Sequence, residues 1–343
     1  MVKIQRLPSG NYRARVHIGN GKYKSITGKD KKAVQLEAAQ LEASVSNDYS
    51  STEALTVGEA MHRYIETKRN VLSVTSVREY NRMANNSLSE IRDININRLT
   101  QAQVQAAINA EALNHAPKTV RSTHGFLAAV LNMYRPNFSL NTTLPQKEKK
   151  NVLIPTEDEI QALLKLVKGT EAEIPIALAA CCGMRRSEIC GLRWSNVDLN
   201  KGTVRISETK LKDSDNNLVQ AKRTKSTSST RTIRLYPFIL DALKNAPRSG
   251  EFVTDLKPEQ VYKRFKKAME TVNPEANYTF HELRHYFVSV ALSLNIPKSY
   301  IADIVGHKSE AMIDQVYGHI MSERKTEMED KLQEYFSKNL TRK

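Results

Sequence analysis

HELRHYFVSV, residues 281–290, sets His281, Arg284 and His285 close together in one short polar-apolar stretch. Residues three apart share a helical face, which would bring His281 and Arg284 together. Leu283, Phe287, Val290 and Leu294 recur at the interval of a buried stripe. The segment is therefore predicted as a helix whose apolar side meets a core, with His281 and Arg284 beside that stripe. Taken alone it fits equally a helix that merely exposes a few polar residues. The remainder of the chain has to decide.

The bulk composition narrows the choice. The 343 residues carry a formal net charge of +15. That length leaves room for roughly two or three domains with a real core. The basic excess points to a polyanionic partner, of which nucleic acid is the commonest. An anionic membrane competes for that role. However, no apolar run approaches the roughly 18 residues of a spanning helix, and MVKIQRLPSGNYRARV lacks the apolar centre of a signal peptide. The expectation is a cytosolic protein, or at least one in contact with nucleic acid and not with membrane. Cys181, Cys182 and Cys190 lie in one apolar segment without a CxxC pair, so they read as reduced core cysteines and no zinc site is expected.

Three parts follow along the chain. Residues 1–50 hold nine Lys/Arg against four Asp/Glu, with turn signals at PSGN and GNGK between short alternating runs. They predict three strands, then a helix over KDKKAVQLEAAQLEAS with Val34, Ala38 and Leu41 on one face. Arg13, Arg15, Lys22 and Lys24 fall on or beside the strands, where a small sheet can enter a major groove. A solvated basic surface is the plainer alternative. A linker is placed at Ser50-Ser51-Thr52. Residues 55–145 read as a helical domain, with Thr56 and Thr100 as N-caps. Lys118 and Arg121 make the start of its last helix basic, which suits a phosphate backbone. SLNTTLPQKEKKNVLI, residues 139–154, reads as a second linker. A third domain is expected over 155–343, opened by a helix capped at Thr156.

Within that third domain an apolar run is interrupted by GMRRSE. Arg185 and Glu188 there share a helical face, the arrangement of a structural ion pair. Strand signals at 204–207 and 231–235 bracket a Lys/Ser/Thr-rich turn containing Lys225. In SYIADIVGHKSEAMIDQVYGHI, Gly306 reads as a helix stop with His307 just beyond, and Tyr317 follows ten residues later. Each feature alone has an ordinary reading.

Their order together resembles the tyrosine recombinase (phage integrase) family, through GMRRSE, KSTSSTRTI, HELRH, the VGH turn and the terminal YGH. Residues 1–50 resemble the arm-binding sheet of integrases from phages and conjugative transposons, and 55–145 a core-binding domain. The fold implied is multidomain and mainly α with small β-sheets: a three-stranded sheet plus helix, a helical core-binding domain, and a mixed α+β catalytic domain. The activity implied is site-specific DNA recombination through a 3′-phosphotyrosine intermediate, without metal or ATP. Arg185 and Arg284 would clamp the scissile phosphate and His307 would donate to it. Tyr317 would attack, His281 would help with its proton, Lys225 would protonate the leaving 5′-oxygen, and Glu188 would orient its neighbours. His285 is expected to be structural. The partners implied are double-stranded DNA at core and arm sites, and further copies of the chain as a tetramer on DNA. DNA-bending or directionality factors are further candidate partners. The C-terminal tail, with Met328, Leu332, Tyr335 and Phe336 on an apolar stripe, would be exchanged between protomers. Two other readings stay open at this point: a type IB topoisomerase and a DNA-binding regulator without catalysis.

Overall fold

The protein is described from a computed structural model that covers residues 4–17, 23–50, 55–147, 152–222, 230–307, 309–311 and 313–314. The chain divides into two compact units, Met1–Lys149 with Asp213–Asn216, and Lys150–Lys212 with Asn217–Lys343.

The first unit contains two separate cores. The N-terminal one is an antiparallel sheet of β1 (Ile4–Arg6), β2 (Tyr12–His17) and β3 (Tyr23–Gly28), in the order β1-β2-β3. Strand alternation puts Ala14, Val16 and Ile26 on one face, where they bury against Val34 and Ala38 of α1 (Lys31–Ser50). Leu41 packs beside them as the sequence predicts. The helix runs on to Ser50, past the Ser44 expected from sequence, because VSNDY contains no glycine or proline to stop it.

The second core belongs to α2 (Val57–Lys68), α3 (Val74–Asn86), the short α4 (Ser89–Arg92), α5 (Gln101–Asn114) and α6 (Pro117–Tyr134). Thr56 with Glu59 and Thr100 with Gln103 form reciprocal capping boxes at α2 and α5. Met61, Ile65, Ile108, Phe126 and Leu131 fill the interior, and Tyr80 stacks on Phe126 at 4.2 Å between ring centres. The start of the expected second linker is not free chain. Asn141 and Thr143 donate their N–H groups to the side chains of Gln101 and Gln105, and Arg121 Nε donates to the Pro145 carbonyl at 2.9 Å.

The second unit starts with α7 (Glu157–Val167), capped by Thr156 and Glu159. It continues through α8 (Glu173–Cys182) and the single turn α9 (Arg186–Cys190) to the strands β4 (Val197–Asp198), β5 (Thr203–Ile206), β6 (Glu208–Lys212), β7 (Leu218–Lys222) and β8 (Arg231–Arg234). Then come α10 (Pro237–Asn245), α11 (Pro258–Val272), α12 (His281–Ser293) and α13 (Lys298–Val305). α8 is apolar on nearly every side and is buried against its neighbours, α12 among them. β5 pairs with β8 as sequence suggests, in a sheet ordered β4-β5-β8, but the stretch between them is more than a turn. It contains a second hairpin, β6–β7, whose polar residues hide its strand character.

α12 corrects the opening reading. Leu283 is buried, but Val290 is 36% and Leu294 67% exposed, while Arg284, Val288, Ala291 and Leu292 are buried. The inward face is therefore turned by about one residue, roughly 100° around the helix, and Arg284 lies at its centre instead of beside it. Counting an arginine as polar misplaces the face when a carbonyl inside the core receives the guanidinium. Among the described residues no helix is long and apolar enough to cross a membrane.

Candidate active site

α8 ends at Gly183, which takes the left-handed conformation (φ 62°) and lies so close to α12 and α13 that an added Cβ would come within 2.7 Å of Phe287. The chain then turns into α9. Arg185 occupies the cap position, and its N–H donates to Glu188 Oε2 at 3.0 Å. Glu188 is 1% exposed. A carboxylate so deeply buried requires charged partners, and it has two. Arg185 Nη1 reaches Oε1 at 2.8 Å, and Arg231 Nη2 reaches Oε2 at 2.7 Å.

Arg231, the first residue of β8, escaped the sequence reading. Its side chain is almost wholly buried, and its Nε donates to the Ile304 carbonyl at the end of α13. The strand's alternation puts it on the face of the buried Ile233, two residues on, but nothing local identifies the distant carboxylate and carbonyl that let an arginine sit there.

Arg185 also bridges to α13. Its Nη1 and Nη2 donate to the carbonyls of Val305 and Gly306 at 3.2 and 3.1 Å. Arg284 Nη1 donates to the Gly183 carbonyl. All three arginines thus satisfy carbonyls at helix C-termini, the groups a helix leaves unpaired and partly negative. Gly306, at φ 67°, closes α13, and the His307 N–H returns to the Ala302 carbonyl at 2.9 Å. This turn fixes His307 beside the arginines.

The electrostatics follow from that packing. Burial first, then the charges of Arg284, Arg185, His281 and Arg231, push the His307 pKa down to about 4. Its ring is neutral at neutral pH. His307 Nδ1 is buried and has no hydrogen-bond partner among the described residues. A cationic surround and an orphaned ring nitrogen are complementary to an anion that brings oxygen atoms.

His281 opens α12 and faces solvent, while its inner side lies against the protein. Desolvation, then Arg284, lowers its pKa below the ordinary histidine value. His285 contacts it edge to face at 4.7 Å between ring centres and is pushed down to about 4 by burial and by His281. Both rings are therefore available as unprotonated bases near pH 7. A cavity of about 540 Å³ borders Arg185 and His281, lined also by Arg186, Leu211, Tyr262 and Thr279.

The structure thus brings together Arg185, Glu188, His281, Arg284 and His307. Lys225 and Tyr317 lie outside the described residues. In the N-terminal sheet Arg13 and Arg15 point away from α1, and Arg15 lies over the Tyr23 ring at 5.1 Å. Lys24 pairs with the buried Val16 and so belongs to the face toward α1, at the sheet's end; Lys22 is outside the described residues. Lys118 is exposed in the first turn of α6, whereas Arg121 holds Pro145.

Residues 154–324 match the phage integrase family. The chain belongs to that family. The tyrosine recombinase XerC-like protein of Caldanaerobacter subterraneus subsp. tengcongensis is 23% identical over 95% of this chain and 96% of its own length. The integrase of Staphylococcus phage L54a is 26% identical over 46% of this chain and 50% of its own. Among solved structures, the Tn1549 transposon integrase in complex with transposon right end DNA shares the fold with a TM-score of 0.64, at 17% identity over 79% of this chain and 100% of that one. A lambda integrase tetramer bound to a Holliday junction superimposes at 0.59, at 16% identity over 90% and 96% of the two chains. As a phage integrase family member this protein is a site-specific recombinase that binds, cuts and rejoins DNA.

Proposed function

We propose that Arg185, Arg284 and His307 form the pocket for the scissile phosphate, with Tyr317 as nucleophile, His281 as its proton acceptor and Lys225 as the acid for the leaving group. The observation that carries this reading is the orphaned, buried Nδ1 of His307 amid cations. In-line attack adds negative charge to the non-bridging oxygens, and guanidinium groups bind such oxygens as planar forks. Because Glu188 and four carbonyls already hold the arginines, little reorganisation is needed when that charge develops.

The Tyr317 hydroxyl loses its proton to the neutral His281 imidazole as its oxygen bonds to phosphorus. The bond from phosphorus to the 5′-oxygen breaks, and that oxygen takes a proton from Lys225. The products are a 3′-phosphotyrosine linkage and a free 5′-hydroxyl. Attack by another 5′-hydroxyl reverses the step on a new partner strand, so the linkage itself conserves the energy for rejoining.

Three domains, 1–50, 55–145 and 155–343, would divide arm binding, core binding and chemistry. The working form would be a tetramer on two duplexes, with the tail beyond Tyr317 passed to a neighbour, as the lambda integrase tetramer on a Holliday junction makes plausible.

The test is a nicked suicide duplex built on the attachment sequence beside the gene, which traps the covalent complex. Protease digestion and mass spectrometry should find the nucleotide on Tyr317. A nucleotide on Tyr300 or Tyr335 would overturn the assignment.

A further inference from the structure

The β6–β7 hairpin meets the body of its unit around Gly191 and Arg193, and again where Lys212 of β6 pairs with Glu259 of α11 at 3.0 Å. Gly191, just after α9, lies under β6 so closely that an added Cβ would come within 2.9 Å of the Lys210 nitrogen. Two residues on, the Arg193 backbone is fixed by an antiparallel bridge to Phe252, with the Trp194 N–H on the Glu251 carbonyl and the Val253 N–H on that of Leu192. From this rigid base the Arg193 side chain spans both strands. Its Nε donates to Glu208 Oε2 of β6 at 2.9 Å, and its Nη2 to Gln220 Oε1 of β7 at 2.8 Å. Gln220 Nε2 donates in turn to Glu208, and Arg193 pairs also with Glu251. A fork that donates to two strands fixes their register and their angle to the base in a way a single contact cannot.

Glu208 and Gln220 lie diagonally on one face of the hairpin, since Glu208 pairs with Lys222 and Gln220 with Lys210. Lys222 is the last residue of β7, and Lys225 follows three residues later. On the far side of that stretch Arg231 is tied to Glu188 and Ile304. The chain that carries Lys225 therefore departs from one arginine-fixed point and returns to another.

We propose that Arg193 is a positioning residue for strand cleavage, which acts through β7 to place Lys225 at the leaving 5′-oxygen. The inference rests on Lys225 being the acid. Arg193 takes no part in binding the phosphate itself, so its loss should damage only the step that needs the proton.

A leaving group that needs no proton isolates that step. The suicide duplex is prepared with either oxygen or sulfur bridging phosphorus and the 5′-carbon, since sulfur departs as a stable thiolate. Full-length wild type, Arg193→Ala, Gln220→Ala, Lys225→Ala and Arg185→Ala are compared in single-turnover cleavage. Arg193→Ala should lose about 100-fold on the oxygen substrate, the scale of a small misplacement of a reacting group, and recover most of it on sulfur. Gln220→Ala, which leaves no charge stranded, should show a smaller loss with the same recovery. It decides the matter alone if Arg193→Ala does not fold. Arg185→Ala should stay slow on both. If Lys225→Ala is rescued by sulfur but the Arg193 and Gln220 variants are equally slow on both substrates, the positioning role is wrong while the acid assignment stands. If Lys225→Ala is not rescued, both fall.

Discussion

The two basic regions of this protein use charge differently. In the second unit the guanidiniums of Arg284 and Arg231 are buried, and that of Arg185 is half-buried and held by three contacts. In the N-terminal sheet Arg15 is exposed, and its described neighbour is the Tyr23 ring. The first arrangement fixes direction as well as sign, which suits a transition state of defined geometry. The second supplies a field and a flexible reach, which suits a regular line of phosphates.

That contrast can be broken by measuring cleavage and binding separately. The largest effect should come from Arg284→Lys. An ammonium cannot reproduce a fork, so the cleavage rate should fall by about 100- to 1000-fold, or about 3–4 kcal/mol of transition-state stabilisation. Duplex affinity should change little. A variant that binds weakly but cleaves at the normal rate once saturated would place Arg284 with the field-type charges.

Glu188→Gln should come next, in stability. It keeps the shape but leaves Arg185 and Arg231 facing each other around a neutral group. Breaking a buried pair in this way costs about 3 kcal/mol or more, read as a lowered denaturant midpoint at unchanged slope. A midpoint within error of wild type would mean that the arginines find other anions and that the pocket is less fixed than described.

The depressed histidines make the same point through pH. Folded-state values of about 4 for His307 and His285 lie below the ordinary value of 6.5. Above pH 6.5 the ring is neutral in folded and unfolded chain alike, so this stability is fully present. As pH falls toward 4 the unfolded chain gains protons that the folded one refuses, and stability is lost. Melting temperature should therefore drop across that window, and His307→Gln should flatten the slope. Bound DNA, by placing phosphate against His307, should protect against the acid loss. An unchanged slope in the variant would show that His307 is not held neutral.

The smallest effects belong to the sheet. Arg13→Ala and Arg15→Ala should each reduce the dependence of arm-DNA binding on salt by about one unit of log–log slope, while cleavage of a core duplex is unchanged. A loss confined to one DNA sequence would instead make these side chains readers of base edges.

Legibility in the sequence followed the range of the interaction. Thr56, Thr100 and Thr156 announce helix starts because their partners are three residues away. Alternation over 12–17 announces the N-terminal sheet, because Ala14 and Val16 need only a local period to share a face. The motif order places five site residues that the fold then gathers. What stayed hidden depends on distant partners. Arg284 is central to a buried face because of the carbonyl at Gly183, and Arg231 is buried because of Glu188 and Ile304. Leu211 and Val219 pair across the β6–β7 hairpin, but their polar neighbours left no period long enough to read.

Apart from the pairs with Glu188, the arginine contacts that assemble the site end on main-chain oxygens: Arg185 on Val305 and Gly306, Arg231 on Ile304, Arg284 on Gly183. A carbonyl is the same whichever side chain stands behind it. Ile304 and Val305 can therefore be exchanged for other core residues over evolutionary time without any compensating change at the arginines. Residues joined in this way need not drift in pairs. The joints that hold this pocket together would thus be nearly silent in statistics of correlated substitution, although the arginines themselves could not be replaced.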